Sequence, residues 1–189
     1  MIDNVSPANC RPCALWLTGL SGAGKSTTAH QLQHALAELG LKSYLLDGDL
    51  LRQGLCKDLG FSEADRNENI RRIGEVAKLM VDAGLMVVTA TISPFQSMRR
   101  DIRSRFAEGD FIEVFIDAPL AVCEARDPKG LYRKARAGEI EHFTGVGSAY
   151  DIPTHPELHI HTDQQSPQDC AQQIMNYLID HGYLTLTVR

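Results

Sequence analysis

The sequence predicts a single three-layer α/β domain over 1–189 built on a five-stranded parallel sheet, and three observations carry that expectation. Short runs of strand character at 14–18, 42–46, 85–91, 111–116 and 158–162 are separated by segments of helical period. The run 85–91 is almost wholly apolar, as a central parallel strand covered on both faces must be. A glycine-rich stretch ending in lysine joins the first strand to the first helix.

That stretch, Gly19-Leu20-Ser21-Gly22-Ala23-Gly24-Lys25-Ser26, matches G-x-x-x-x-G-K-[ST] in full. Ala14 to Thr18 forms the strand before it. Ala29, Leu32, Leu36 and Leu39 recur at helical spacing behind it, and Gly40 stops the helix. Backbone N–H groups of such a loop and the helix N-terminus favour an anion at one place. Lys25 would reach the β/γ-phosphates of a nucleotide, and the Ser26 hydroxyl would ligate Mg²⁺.

Composition narrows the rest. At 189 residues, with 43% hydrophobic and 23% charged residues, the chain has enough apolar material for one globular core. A formal charge of −5 argues against a general nucleic-acid binder, so an anion site must be built locally. No apolar run approaches membrane-spanning length and no signal-peptide pattern opens the chain, so a cytoplasmic protein without membrane partners is expected. Five cysteines do not suggest a disulfide framework, and Cys10-Arg11-Pro12-Cys13 has no second pair to complete a zinc site.

Taken in order, residues 1–12 read as an irregular arm. The strand at 42–46 ends in Asp47-Gly48-Asp49, two carboxylates at a carboxyl edge where α/β sheets bind ligands. Ser62-Glu63-Ala64-Asp65 opens a helix running to about Ala83, with Ile70, Ile73, Ala77 and Met80 as its apolar stripe. Arg66 falls within that stripe and Asn69 on its edge. An unpaired buried guanidinium is costly, so Arg66 should face a cleft that holds an anion, or else pair with a buried carboxylate. The Arg-rich segment with Arg99, Arg100, Arg103 and Arg105 reads mainly as a solvated face. The basic helix with Arg133, Lys134 and Arg136, flanked by glycines, suggests a lid over about 126–150. His159 and His161 alternate with Leu158 and Ile160, which suits a sheet edge better than a metal site. Ser166-Pro167 starts a last amphipathic helix that Gly182 ends.

These residues resemble the adenylyl-sulfate kinase (APS kinase) family of P-loop kinases from Trp16 to about Thr162. The resemblance rests on the loop at 19–27, Asp-Gly-Asp-x-x-Arg at 47–52, Leu-Gly-Phe-Ser-x-x-Asp-Arg-x-Glu-Asn-Ile-Arg-Arg-Ile-Gly-Glu-Val-Ala-Lys at 59–78, Ile-Ser-Pro at 92–94, Arg-Asp-Pro-Lys-Gly-Leu-Tyr at 126–132, Lys-Ala-Arg-Ala-Gly-Glu-Ile at 134–140 and Phe-Thr-Gly at 143–145. It implies a sheet of order 2-3-1-4-5 and Mg²⁺-dependent transfer of the ATP γ-phosphate to the 3′-hydroxyl of adenylyl sulfate, giving 3′-phosphoadenylyl sulfate (PAPS). By position, Gly19, Gly22, Ala23, Gly24, Lys25, Ser26 and Thr27 would hold ATP. Asp49, Arg52, Arg66 and Asn69 would form the acceptor site, with both arginines on its phosphosulfate. Phe61 and Phe143 would sandwich the acceptor adenine, and Ile92, Ser93 and Lys129 would contact it. Lys25, Asp49 and Ser93 would carry catalysis. A homodimer and an ATP sulfurylase partner are further implications.

The chain departs from the family pattern at Thr91, where Phe is usual, at His142, and at Gly147-Ser148-Ala149-Tyr150. The family counterpart of Ser93 is commonly labelled a phosphoserine intermediate. No histidine stands near Ser93 in sequence, and Pro94 and Phe95 cannot act as bases, so direct in-line transfer is expected. A kinase for another small acceptor or a non-catalytic nucleotide-binding domain are the alternatives; a GTPase-like switch would need an Asn-Lys-x-Asp that is missing.

Overall fold

The computed structural model describes the backbone of residues 5–188 and the side chains of residues 10–186. Its strands are β1 (Val5–Cys10), β2 (Ala14–Thr18), β3 (Ser43–Asp47), β4 (Met86–Ala90), β5 (Phe111–Asp117), β6 (Leu158–His161) and β7 (Leu184–Val188). The helices are α1 (Lys25–Glu38), α2 (Gly48–Leu51), α3 (Glu63–Asp82), α4 (Gln96–Arg103), α5 (Leu120–Arg126), α6 (Leu131–Arg136) and α7 (Pro167–Asp180). Five strands form an all-parallel sheet in the order β3-β4-β2-β5-β6, which is 2-3-1-4-5 when only its own strands are counted.

Strand alternation divides the core into two layers. Leu15 and Leu17 of β2 join Leu32 and Leu36 of α1 and Ile174 and Leu178 of α7 on one face. Ala14 and Trp16 join Ile70, Ile73 and Ala77 of α3 and Ile102 of α4 on the other. The three α3 residues belong to the four-residue apolar stripe read from sequence; the fourth, Met80, is only partly buried, and Val81 is buried in that turn instead. Gly74 lets α3 and α4 close up, since a Cβ there would lie 2.6 Å from Ile102 Cδ1. Helix starts follow their caps: Ser62 Oγ accepts from Asp65 N at 3.1 Å and Ser166 Oγ from Asp169 N at 3.1 Å.

Two expectations need correction. Residues 5–10 are not irregular: β1 pairs antiparallel with β7, from Val5 opposite Val188 to Cys10 opposite Leu184. Pro7 and Asn9 suggested loop, but a two-stranded ribbon tolerates proline, and the register shifts between these two residues. The first four residues of that arm lie outside the described residues. The Arg-rich segment is not mainly solvated either. Arg99 is 1% exposed and its Nε donates to Glu113 Oε1 at 2.6 Å, while Arg103 is held by Glu157 at 2.6 and 2.7 Å. Both carboxylates lie far along the chain, which is why helical spacing alone misread them.

Candidate active site

The loop 19–26 turns from the end of β2 into α1. Gly19 is required sterically, because a Cβ there would sit 2.2 Å from the Ile116 carbonyl oxygen. Gly24 caps α1 at φ +100°, a conformation only glycine adopts freely. Lys25 is 8% exposed, and its Nζ donates to the carbonyls of Gly19 at 2.9 Å and Leu20 at 2.7 Å. Burial pushes its pKa down to about 8, against an opposing pull from Asp49 and other nearby groups.

Ser26 Oγ donates to Asp47 Oδ2 at 2.6 Å, while Asp47 Oδ1 accepts from Asp49 N at 2.9 Å and caps α2. The sequence leaves Asp47 and Asp49 together as candidates for metal or acid–base work, against a plain Asp/Gly turn; what it lacks is that β3 ends beside Ser26 and so pairs Asp47 with it. Arg126 and Thr162 were missed. Thr162 Oγ1 donates to Ala23 O at 2.6 Å and Arg126 donates to Thr162 O at 2.7 Å, so the two brace the loop from behind.

A cavity of about 1120 Å³ runs from this loop across the carboxyl edge of the sheet. Gly22, Gly24, Lys25, Ser26 and Thr27 line one end; Asp49, Arg52, Phe61, Arg66, Asn69, Ile92, Ser93, Lys129 and Phe143 line the other. Among the sequence-predicted residues, Gly19 and Ala23 are not in the wall, and Ala23 is fully buried within the loop.

The second end is electrostatically distinctive. Arg66 donates to Phe61 O at 2.9 Å, to Thr144 Oγ1 at 2.9 Å and to His142 O, all neutral acceptors. The alternative of pairing with a buried carboxylate is thereby excluded. Arg52 donates to the carbonyls of Leu59 and Gly60 and lies 4.5 Å from the centre of the Phe61 ring. Burial lowers the pKa of both guanidiniums, and the charge of Arg52 lowers that of Arg66 further. Two cations set close together without a carboxylate partner form a cleft suited to an anion. Asn69 is 6% exposed, and its Oδ1 has no protein partner. Thr91 Oγ1, also in the cavity wall, has none either.

Ser93 is buried at φ +38°, outside the usual range for a residue with a side chain. Trp16 Nε1 donates to its Oγ at 3.1 Å, and the Arg99 guanidinium donates to its carbonyl at 2.8 Å. From 126–150, Lys129 reaches across to pair with Asp49, both about half exposed. Tyr132 stacks edge-on to Phe143 at 5.0 Å. Arg133, Lys134 and Arg136 do not line the cavity, so the positive charge on this side comes from Lys129 and Arg126 instead.

Among the described residues, no helix is long and apolar enough to cross a membrane. The family model for adenylylsulphate kinase matches residues 11–161. An adenylyl-sulfate kinase of Marinobacter nauticus is 60% identical over 170 residues, covering 90% of this chain and 85% of that protein. One from Aeromonas hydrophila is 65% identical over 150 residues, 79% of this chain and 76% of that one. Among solved structures, a Mycobacterium tuberculosis APS kinase in complex with AMPPNP and APS superposes with a TM-score of 0.86 at 50% identity, over 89% of this chain and 98% of that one. The chain belongs to the adenylyl-sulfate kinase family.

Proposed function

We propose that this chain transfers the γ-phosphoryl group of ATP to the 3′-hydroxyl of adenylyl sulfate, releasing ADP and PAPS for sulfate assimilation. The observation that carries the reading is one continuous cavity with a phosphate loop at one end and a carboxylate-free arginine pair at the other. The loop N–H groups and Lys25 hold and neutralise the β/γ-phosphates. Arg52 and Arg66 take the phosphosulfate of the acceptor, the unpartnered Asn69 Oδ1 accepts a hydrogen bond from an O–H or N–H of the acceptor's nucleoside, and Phe61 and Phe143 flank its adenine. Asp49, exposed at the end of β3, orients the 3′-hydroxyl or takes its proton once Lys129 yields to substrate.

Ser26 and Asp47 present oxygen donors side by side at the phosphate end, a hard donor set that fits Mg²⁺. When bound with ATP, Mg²⁺ supplies charge neutralisation at the phosphates. With the nucleotide and acceptor held in line, most of the rate enhancement comes from positioning and electrostatics.

Purified chain incubated with γ-labelled ATP, Mg²⁺ and adenylyl sulfate should form labelled PAPS; labelled product only with a different small acceptor would overturn the reading. A homodimer, a cytoplasmic site of action and an ATP sulfurylase partner belong to the same proposal. Sedimentation of the purified chain checks the first, fractionation of the source cells the second and co-purification the third. An APS kinase of Thiobacillus denitrificans, 35% identical over 94% of this chain and 30% of that one with a TM-score of 0.71, is described as hexameric.

A further inference from the structure

We propose that Asp117, His159 and His161 form a binding site for a divalent transition-metal cation of the zinc class, separate from the nucleotide cavity. None of the three lines that cavity. They come together because β6 is an edge strand whose neighbour in the sheet is β5, in a parallel register that sets Asp117 beside His161 and Phe115 beside His159. Residues two apart on a strand project from one face, so both imidazoles point the same way.

The geometry is close to that of a coordinated ion. Asp117 Oδ2 lies 2.9 Å from His159 Nε2 and 3.5 Å from His161 Nδ1. The imidazole centroids are 4.3 Å apart, and one donor atom from each residue lies within 4.8 Å of the other two. Bonds of about 2.0–2.2 Å in a tetrahedral site place neighbouring donors about 3.3–3.5 Å apart, so small side-chain rotations complete the set. The backbone is already fixed by the sheet, and Phe115 stacks on the His159 ring at 4.7 Å.

Two nitrogens and one carboxylate oxygen favour Zn²⁺, Co²⁺, Ni²⁺ or Cu²⁺ over Mg²⁺, which prefers oxygen alone. The side chains of Asp117, His159 and His161 are 31%, 45% and 44% exposed, so an ion can enter from solvent and keep water in its remaining positions. An ordinary edge-strand ion pair would use one imidazole. The second imidazole on the same carboxylate is what a three-donor site requires.

The test is calorimetric titration of the untagged chain with zinc chloride in millimolar Mg²⁺. It is run in a Cys10→Ser background, because Cys10 is the one cysteine that is not buried. One Zn²⁺ per chain is expected. Loss of a single supporting group around a metal weakens binding about 10–100-fold, so His159→Gln/His161→Gln, which removes two direct ligands, should weaken it at least about 100-fold. Its activity with Mg-ATP should be unchanged. Binding retained within about tenfold in the double variant, or no saturable heat from the parent, overturns the site. A zinc-edge anomalous map of the parent gives a readout independent of how the variant folds: density between both imidazoles supports the proposal, and density elsewhere only, or none, rejects it.

Discussion

The two ends of the cavity are made of different material. The phosphate end is eight consecutive residues whose backbone N–H groups would supply most contacts to a bound phosphate, anchored by a buried lysine and braced by Thr162 and Arg126. The acceptor end is assembled from side chains spread from Asp49 to Phe143, several of them exposed, including Phe61 at 62%. Backbone geometry held by a strand and a helix is rigid and generic. Side chains gathered from several segments are specific and can be removed one at a time. Changes at the first end should therefore abolish chemistry, and changes at the second should reshape substrate preference, except at Asp49, which faces the acceptor hydroxyl in the proposed reaction.

The largest expected effect is at Lys25. Lys25→Ala removes the buried cation that, in the proposed reaction, neutralises the transferring phosphoryl group, and should lower kcat on the order of a thousand-fold or more. The fold should survive, since deleting a desolvated charge whose partners are two loop carbonyls leaves no buried charge unpaired. Steady-state assay with thermal denaturation checks both halves; near-normal kcat would detach the loop from the reaction. Asp49→Asn comes next. It keeps the shape and removes the charge, and kcat should drop about a hundred-fold while ATP still binds. An almost fully active variant would remove Asp49 from the chemistry.

Legibility in the sequence follows the same division. The loop, its flanking strand and helix, and the apolar stripe of α3 are local patterns, and the structure has them where periodicity put them. Arg66 could be read because a cation inside an apolar stripe is a local contradiction needing a partner. What could not be read depends on contacts distant in sequence. Arg99 looked solvated because Glu113 lies on another element; Asp47 meets Ser26 only once β3 is in place; β1 needs β7 from the far end of the chain. Phe61 and Phe143, 82 positions apart, were assigned to one site through family resemblance alone.

Arg66→Ala tests the acceptor end directly. Losing a charge-assisted contact to an anion in a cleft costs on the order of 2–4 kcal/mol, so KM for adenylyl sulfate should rise about a hundred-fold with little change in KM for ATP. Equal effects on both substrates would erase the distinction between the two ends.

A smaller effect is expected from pH. The Lys25 pKa is pushed down to about 8 by burial, so the free enzyme carries the charge below that value and loses it as pH rises. The ratio kcat/KM for ATP should fall about tenfold per unit above pH 8, whereas kcat should hold to higher pH because bound phosphates favour the ammonium form. Lys25→Arg, even if slow, should flatten the profile. A profile with the same fall in that variant would assign it to another group.

The smallest effect is expected at Ser93, in the wall of the acceptor end. Its hydroxyl accepts from the Trp16 indole at 3.1 Å, and its carbonyl accepts from Arg99 at 2.8 Å. Neither neighbour can take the hydroxyl proton, since an indole N–H is only a donor and a guanidinium has no acceptor. A nucleophilic serine needs a base, and none of the hydrogen bonds to Ser93 supplies one. What the surroundings do provide is position: they hold the residue at φ +38° and leave its proton free to donate to the acceptor. Ser93→Ala should thus lose one hydrogen bond, about 0.5–1.5 kcal/mol, and weaken acceptor binding or rate roughly two- to twelve-fold. Ser93→Gly accepts the backbone conformation without strain, so it should match the alanine variant in activity and equal or exceed it in stability if only the hydroxyl matters. Acid quench during turnover with γ-labelled ATP decides between direct and covalent transfer. Label that accumulates on Ser93 and chases into PAPS at the turnover rate, with a dead alanine variant, would make the serine a nucleophile and move the chemistry into the acceptor end.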